Sequence, residues 1–192
     1  QFLHLPGRSA LSPFRVQKLL SELRDLDAGI SSLDARFDFY VHCARSLSPA
    51  GSDILDALLE TGVRDIASDS LTQIVHIAPR PGTISPWSSK ATEIAHACGL
   101  DDIVRIERGV SYRVDTDSTL DPALLDAAAA RLFDRMTEAR YASVDDVFRL
   151  FESHAPTPLV VVPLMAEGAA PPGNARRRLH ETLVPGGPGG HL

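Results

Sequence analysis

Between positions 104 and 114 the apolar residues Val104, Ile106, Val110, Tyr112 and Val114 share one parity. A period of two puts successive side chains on opposite faces, so this stretch reads as a strand with one face against a core. Arg108 interrupts the row. Either Gly109 forms a bulge that rotates the arginine outward, which is the favoured reading, or Arg108 stays inside with a partner. A second strand is expected from about Ala35 to Arg45, where Phe37, Phe39, Val41 and Cys43 alternate with Asp38, Tyr40 and His42 in a half-buried pattern.

Helical patterns separate the strands. Ser12 caps a helix that begins at Pro13 and carries Val16, Leu19, Leu20, Leu23 and Leu26 as its stripe. Asp53 to Thr61 turns Ile54, Leu55, Leu58 and Leu59 inward and stops at Gly62. Leu71 to Ala78 is β-branched enough for a buried strand, and a loop from Pro79 to Pro86 leads to a helix from about Trp87 to Cys98. Pro122 opens a helix expected to reach Thr137, and Val144 to Phe151 forms another. With the apolar start at Phe2 to Leu5, the order is βαβαβαβα. The fold class is therefore α/β, an α+β sandwich, in which two similar halves can hide without a sequence repeat.

Composition narrows the function. The 192 residues carry 19 Lys plus Arg against 25 Asp plus Glu, a net charge of -6, which argues against nucleic acid as a partner. Two cysteines cannot build a disulfide framework, so a cytoplasmic location is expected. No apolar run is long enough to span a membrane, and no membrane partner is expected. The chain begins with Gln, as a processed or partial chain would. Residues 156 to 192 hold 7 of the 14 prolines and 6 of the 13 glycines. An α/β domain is expected over 1–140, the start of a linker domain over 141–165, and a disordered or foreign tail over 166–192.

Phosphate-loop, dinucleotide, nucleophile-elbow and zinc motifs are missing, and the seven histidines are scattered, so no metal site is expected. Cys43 and Cys98 both read as core residues. The segment Ala78 to Gly99 differs. It delivers Arg80, Thr83, Ser85, Trp87, Ser88, Ser89 and Lys90 to a helix start. Unpaired backbone N–H groups there carry partial positive charge, so hydroxyls and cations gathered around them suit phosphate. Ser85 followed by Pro86 is equally a plain cap, with Trp87 as a lid on the core.

The string Pro79-Arg80-Pro81-Gly82-Thr83-Ile84-Ser85-Pro86-Trp87-Ser88-Ser89-Lys90-Ala91-Thr92 resembles the amino-terminal region of the phosphoribosylformylglycinamidine synthase family in its large single-chain form. Ser9 to Arg15 is similar to that family's start, Arg105 to Val110 to its last strand, and Asp134 to Glu138 to its closing helix. The likeness covers about residues 1 to 165, whereas Ala166 to Leu192 departs from the family pattern. The resemblance implies part of an enzyme of purine biosynthesis that uses ATP, magnesium and glutamine to convert formylglycinamide ribonucleotide to formylglycinamidine ribonucleotide. It implies further that the glutaminase nucleophile and the ATP and magnesium ligands lie in other domains. This region would then bind no cofactor and have no catalytic residue. It would resemble a fused pair of the small subunits of the split enzyme, packed on the synthetase and glutaminase domains, shaping the substrate pocket and ammonia path. Two rival readings from the residues are a free-standing α/β interaction module and a small phosphate sensor.

Overall fold

Strands and helices alternate from the first residues in the computed structural model, which describes residues 1–61, 71–118 and 121–152. The elements are β1 (Phe2–Ser9), α1 (Pro13–Arg24), β2 (Ile30–Cys43), α2 (Pro49–Leu59), β3 (Thr72–Pro79), α3 (Pro86–Ala97), β4 (Ile103–Thr116), α4 (Pro122–Ala129), β5 (Glu138–Tyr141) and α5 (Val144–Val147), with a 3₁₀ turn at Phe148–Phe151. The expected tail at 166–192 and the later part of the linker lie outside the described residues.

The five strands form one antiparallel sheet in the order β1-β2-β4-β3-β5. Strand, helix and strand have 8, 12 and 14 residues in β1-α1-β2 and the same lengths in β3-α3-β4. Because β2 and β4 pair antiparallel at the centre, the two units are related by an approximate two-fold. The halves share a length pattern and a topology without sharing a sequence.

Each long helix starts on the same device. Ser12, Ser48 and Ser85 accept hydrogen bonds from the N–H of Arg15, Gly51 and Ser88, and each is followed by proline. Ser48-Pro49 is why α2 begins before Asp53. Helices α1 and α4 cover one part of the sheet through Leu23, Leu33, Val75, Val114 and Ala128, while α2 and α3 cover the rest through Phe39, Leu55, Ala95, Ile103 and Ile106. The opposite face receives α5 and the 3₁₀ turn over Tyr40, Ala78 and Tyr141. Strand β2 is therefore central and buried on both faces from Asp38 to Val41, not half-buried.

Three further expectations change. Helix α4 ends at Ala129, not at Thr137, and the stretch likened to a closing helix becomes a turn and an edge strand. Asp134 makes the turn: its carboxylate accepts the Met136 N–H at 2.8 Å, and its carbonyl accepts the Thr137 and Glu138 N–H groups. Strand β5 then pairs with β3 through Tyr141 and His76. Cys43 is buried, but Cys98 is exposed, because it sits at the end of α3 beyond the helical stripe.

The expected bulge at Gly109 is absent. Asp38 pairs with Gly109 and Phe39 with Arg108 in unbroken register. Glycine is required there for space: a Cβ would stand 2.4 Å from the Ile77 carbonyl oxygen and 3.1 Å from a Tyr40 ring carbon. Gly109→Ala should lower stability by about 1–3 kcal/mol, since backbone at the sheet centre has to move to admit it. Thermal unfolding that left the midpoint unchanged would contradict this packing.

Candidate functional site

Strand β3 is shorter than β4, so the stretch Ile103 to Glu107 reaches past it and needs other partners for its free edge. The loop after β3 and the start of α3 supply them. Arg80 to Thr83 forms a tight turn in which the Arg80 carbonyl accepts both the backbone N–H and, at 2.6 Å, the hydroxyl of Thr83. Pro81 presets this turn, and Gly82 takes the left-handed conformation at φ 79° that its third position demands. Further on, the Thr92 hydroxyl oxygen accepts the Ile106 N–H at 3.0 Å.

Arg105 and Glu107 fix the loop. Two residues apart on a strand, they share a face, and Glu107 is fully buried. Its carboxylate accepts the Ser85 hydroxyl at 2.8 Å, the Ser85 N–H at 3.3 Å and the Arg105 Nε at 3.0 Å. The guanidinium of Arg105 also donates to the carbonyls of Thr83 (2.6 Å) and Leu150 (3.3 Å) and lies over the Phe151 ring. One ion pair thus ties the loop, β4 and the 3₁₀ turn together. It also means that the anion beside the start of α3 is the protein's own Glu107 carboxylate.

The remaining loop residues are dispersed. Lys90, 68% exposed, pairs with Glu93 at 3.1 Å, one helical turn on. Arg80 is exposed, with Nη1 3.5 Å from the Arg135 carbonyl oxygen. Ser89 points to solvent, while Ser88 is buried with no hydrogen-bond partner for its hydroxyl among the described residues. Thr83, Ser85 and Trp87, by contrast, line one cleft of about 490 Å³ together with Phe37 and Arg108.

Arg108 is the residue that the alternation pointed to and the bulge reading moved away. It stays on the helix-covered face, its guanidinium 4.6 Å from the ring centroid of Phe37 and 4.8 Å from that of Trp87. Trp87 in turn stacks on Phe39 at 5.7 Å. The aromatic rings are the inside partner, and cation–π attraction stabilises the charge. Burial pushes the Arg108 pKa below the ordinary arginine value, and the like charge of Arg8 acts in the same direction.

The other sheet face carries a second polar cluster. The buried Asp38 carboxylate has His4 Nε2 at 3.1 Å and Arg36 Nε at 3.4 Å, and it accepts the Ser111 hydroxyl, whose oxygen is 2.8 Å from His76 Nδ1. Burial raises the Asp38 pKa, but the contacts with His4 and Ser111 and the charges of His4 and Arg36 outweigh it, and the net shift is downward. Among the described residues no group of three His, Cys, Asp or Glu could hold a metal ion, and no helix is long and apolar enough to cross a membrane.

A sequence model for the amino-terminal region of formylglycinamide ribonucleotide amidotransferase matches residues 36–151. The chain belongs to that family. The match runs from within β2 through the 3₁₀ turn, and takes in the loop, the clamp of Arg105 and Glu107, and Arg108 with Phe37 and Trp87. The chain is thus a non-catalytic amino-terminal part of the multi-domain formylglycinamide ribonucleotide amidotransferase of purine biosynthesis.

Proposed function

We propose that the chain serves the glutamine- and ATP-dependent conversion of formylglycinamide ribonucleotide to formylglycinamidine ribonucleotide as its amino-terminal packing module. In this reading it works in the cytoplasm, shapes the substrate pocket and ammonia path and couples the synthetase and glutaminase centres. The family match over residues 36–151 carries the reading. The rigid mounting of the 80–90 loop supports it, because Arg105 and Glu107 hold that loop from behind and leave Arg80, Ser89 and Lys90 facing outward. ATP and magnesium fit poorly on the chain itself, since Glu107 already fills the helix start that would suit nucleotide phosphates. Their ligands belong to the other domains.

The test combines the chain with the remaining domains of the enzyme and measures both glutamine hydrolysis and formation of formylglycinamidine ribonucleotide. Product formation should depend on the chain, and equal activity without it overturns the reading. Within that assembly, a double Arg80→Ala, Lys90→Ala variant should raise the ribonucleotide KM or the glutamine consumed per product by about tenfold. Both residues are exposed and their replacement leaves the core untouched, so unchanged KM and unchanged coupling would remove the loop from the pocket.

A further inference from the structure

The Arg108 cleft has walls of one kind and a donor of another. Phe37, Trp87, Ile84, Val110 and Met136 make it mostly apolar. Its hydroxyls are engaged: Thr83 donates to the Arg80 carbonyl, Ser85 to Glu107, and Thr137 to the Asp134 carboxylate. Glu138 also borders the cleft, and its carboxylate accepts the Asp134 N–H at 3.0 Å. Arg8 is held by Glu60 at 3.0 Å. Arg108 alone keeps a guanidinium with ring contacts and no ion-paired carboxylate among the described residues.

We propose that this cleft receives an Asp or Glu carboxylate flanked by apolar side chains, carried by a segment of the enzyme's remaining domains, with Arg108 as its hydrogen-bond donor. A planar guanidinium fork matches one carboxylate in two parallel hydrogen bonds, and its strength grows where water is excluded. A phosphate monoester needs more donors than the cleft has left, because it carries nearly two charges on three oxygens. The apolar walls bury the flanking side chains at the same time. The placement of Arg108 is set by Phe37, Trp87 and the unbroken register at Gly109, so the donor stands ready before the segment arrives. The identity of the partner rests on the function proposed above, whereas the chemistry of the cleft does not.

The chain has one tryptophan, and it forms a wall of the cleft. Its fluorescence therefore reports occupancy directly. Phenylacetate should perturb Trp87 emission saturably, and the neutral phenylacetamide and inorganic phosphate should each bind at least about tenfold more weakly. Arg108→Gln should abolish the preference for phenylacetate over phenylacetamide, and Arg108→Lys should restore only part of it, while circular dichroism shows both variants folded. Equal binding of acid and amide, tighter binding of phosphate, or no binding at all overturns the carboxylate site.

A second measurement addresses the segment itself. Association of the chain with the remaining domains should weaken about tenfold on Arg108→Gln. Selective phenylacetate binding with unchanged association would assign the cleft to a small molecule and overturn the proposed occupant. Failure of the wild-type chain to associate would overturn both the occupant and the proposed function, with the phenylacetate result still deciding the carboxylate chemistry.

Discussion

Glu107→Ala is expected to lower the stability of the chain by about 3–5 kcal/mol, the range found when one member of a buried ion pair is removed. The loss has two parts. Arg105, with 17% of its side chain exposed, keeps a desolvated charge without its carboxylate. Ser85 loses the acceptor of both its hydroxyl and its N–H, so the start of α3 and the loop before it are released together. A double variant that also replaces Arg105 with leucine should recover part of the loss, because no unpaired charge is then left behind. Urea unfolding reads both values. A loss below about 1 kcal/mol for Glu107→Ala would mean that the clamp is solvent-screened like an ordinary surface pair.

Asp38→Asn is the second large effect, expected at about 3 kcal/mol near neutral pH because Arg36 then loses a buried counter-charge. Its pH dependence is distinctive. The folded-state pKa of Asp38 lies below the ordinary value of 3.8, so its contribution is complete above that value and is lost as pH falls through the folded pKa. The contribution of Asp38 to the difference between wild type and Asp38→Asn should accordingly persist down to about pH 3.8 and shrink below it. His76, pushed down mainly by burial and held up in part by the Asp38 charge, makes both proteins less stable as pH falls below about 6.5, and the loss is larger in Asp38→Asn, where that charge is gone. A wild-type advantage that failed to shrink below about pH 3.8 would place the stabilising charge elsewhere.

Much of the architecture was legible because it depends on local rules. The parity of Val104 to Val114 specified β4, and Ser12-Pro13 and Ser85-Pro86 marked two helix starts through the orphan N–H groups that those caps satisfy. Strand β5 escaped notice since four residues, Glu138 to Tyr141, are too few for a period, and the Asp134 turn before them looks like a continuing helix. Cys98 was misplaced for a related reason: helical spacing was carried one residue beyond the helix.

At the site, the loop from Arg80 to Lys90 was visible as an accumulation of hydroxyls and cations, but their directions were not. A helix start attracts whichever anion is nearest, and only the register of β4 against the loop brings Glu107 to it. The alternation of Arg105 and Glu107 on one strand face was the available signal for that pair. Arg108 was singled out by the same alternation. Its partners are rings from β2 and α3, 71 and 21 positions away in sequence, so no local pattern could name them.

The sequence by itself determined the order of strands and helices, the caps that begin the helices and the family to which the chain belongs, because each is written in neighbouring residues. Tertiary structure alone decided which charges are free to meet a partner. That outcome depends on burial and on contacts across the sheet, which close the start of α3 with Glu107, hold Asp38 among His4, Arg36 and Ser111, and leave Arg108 between aromatic walls with its donors open among the described residues.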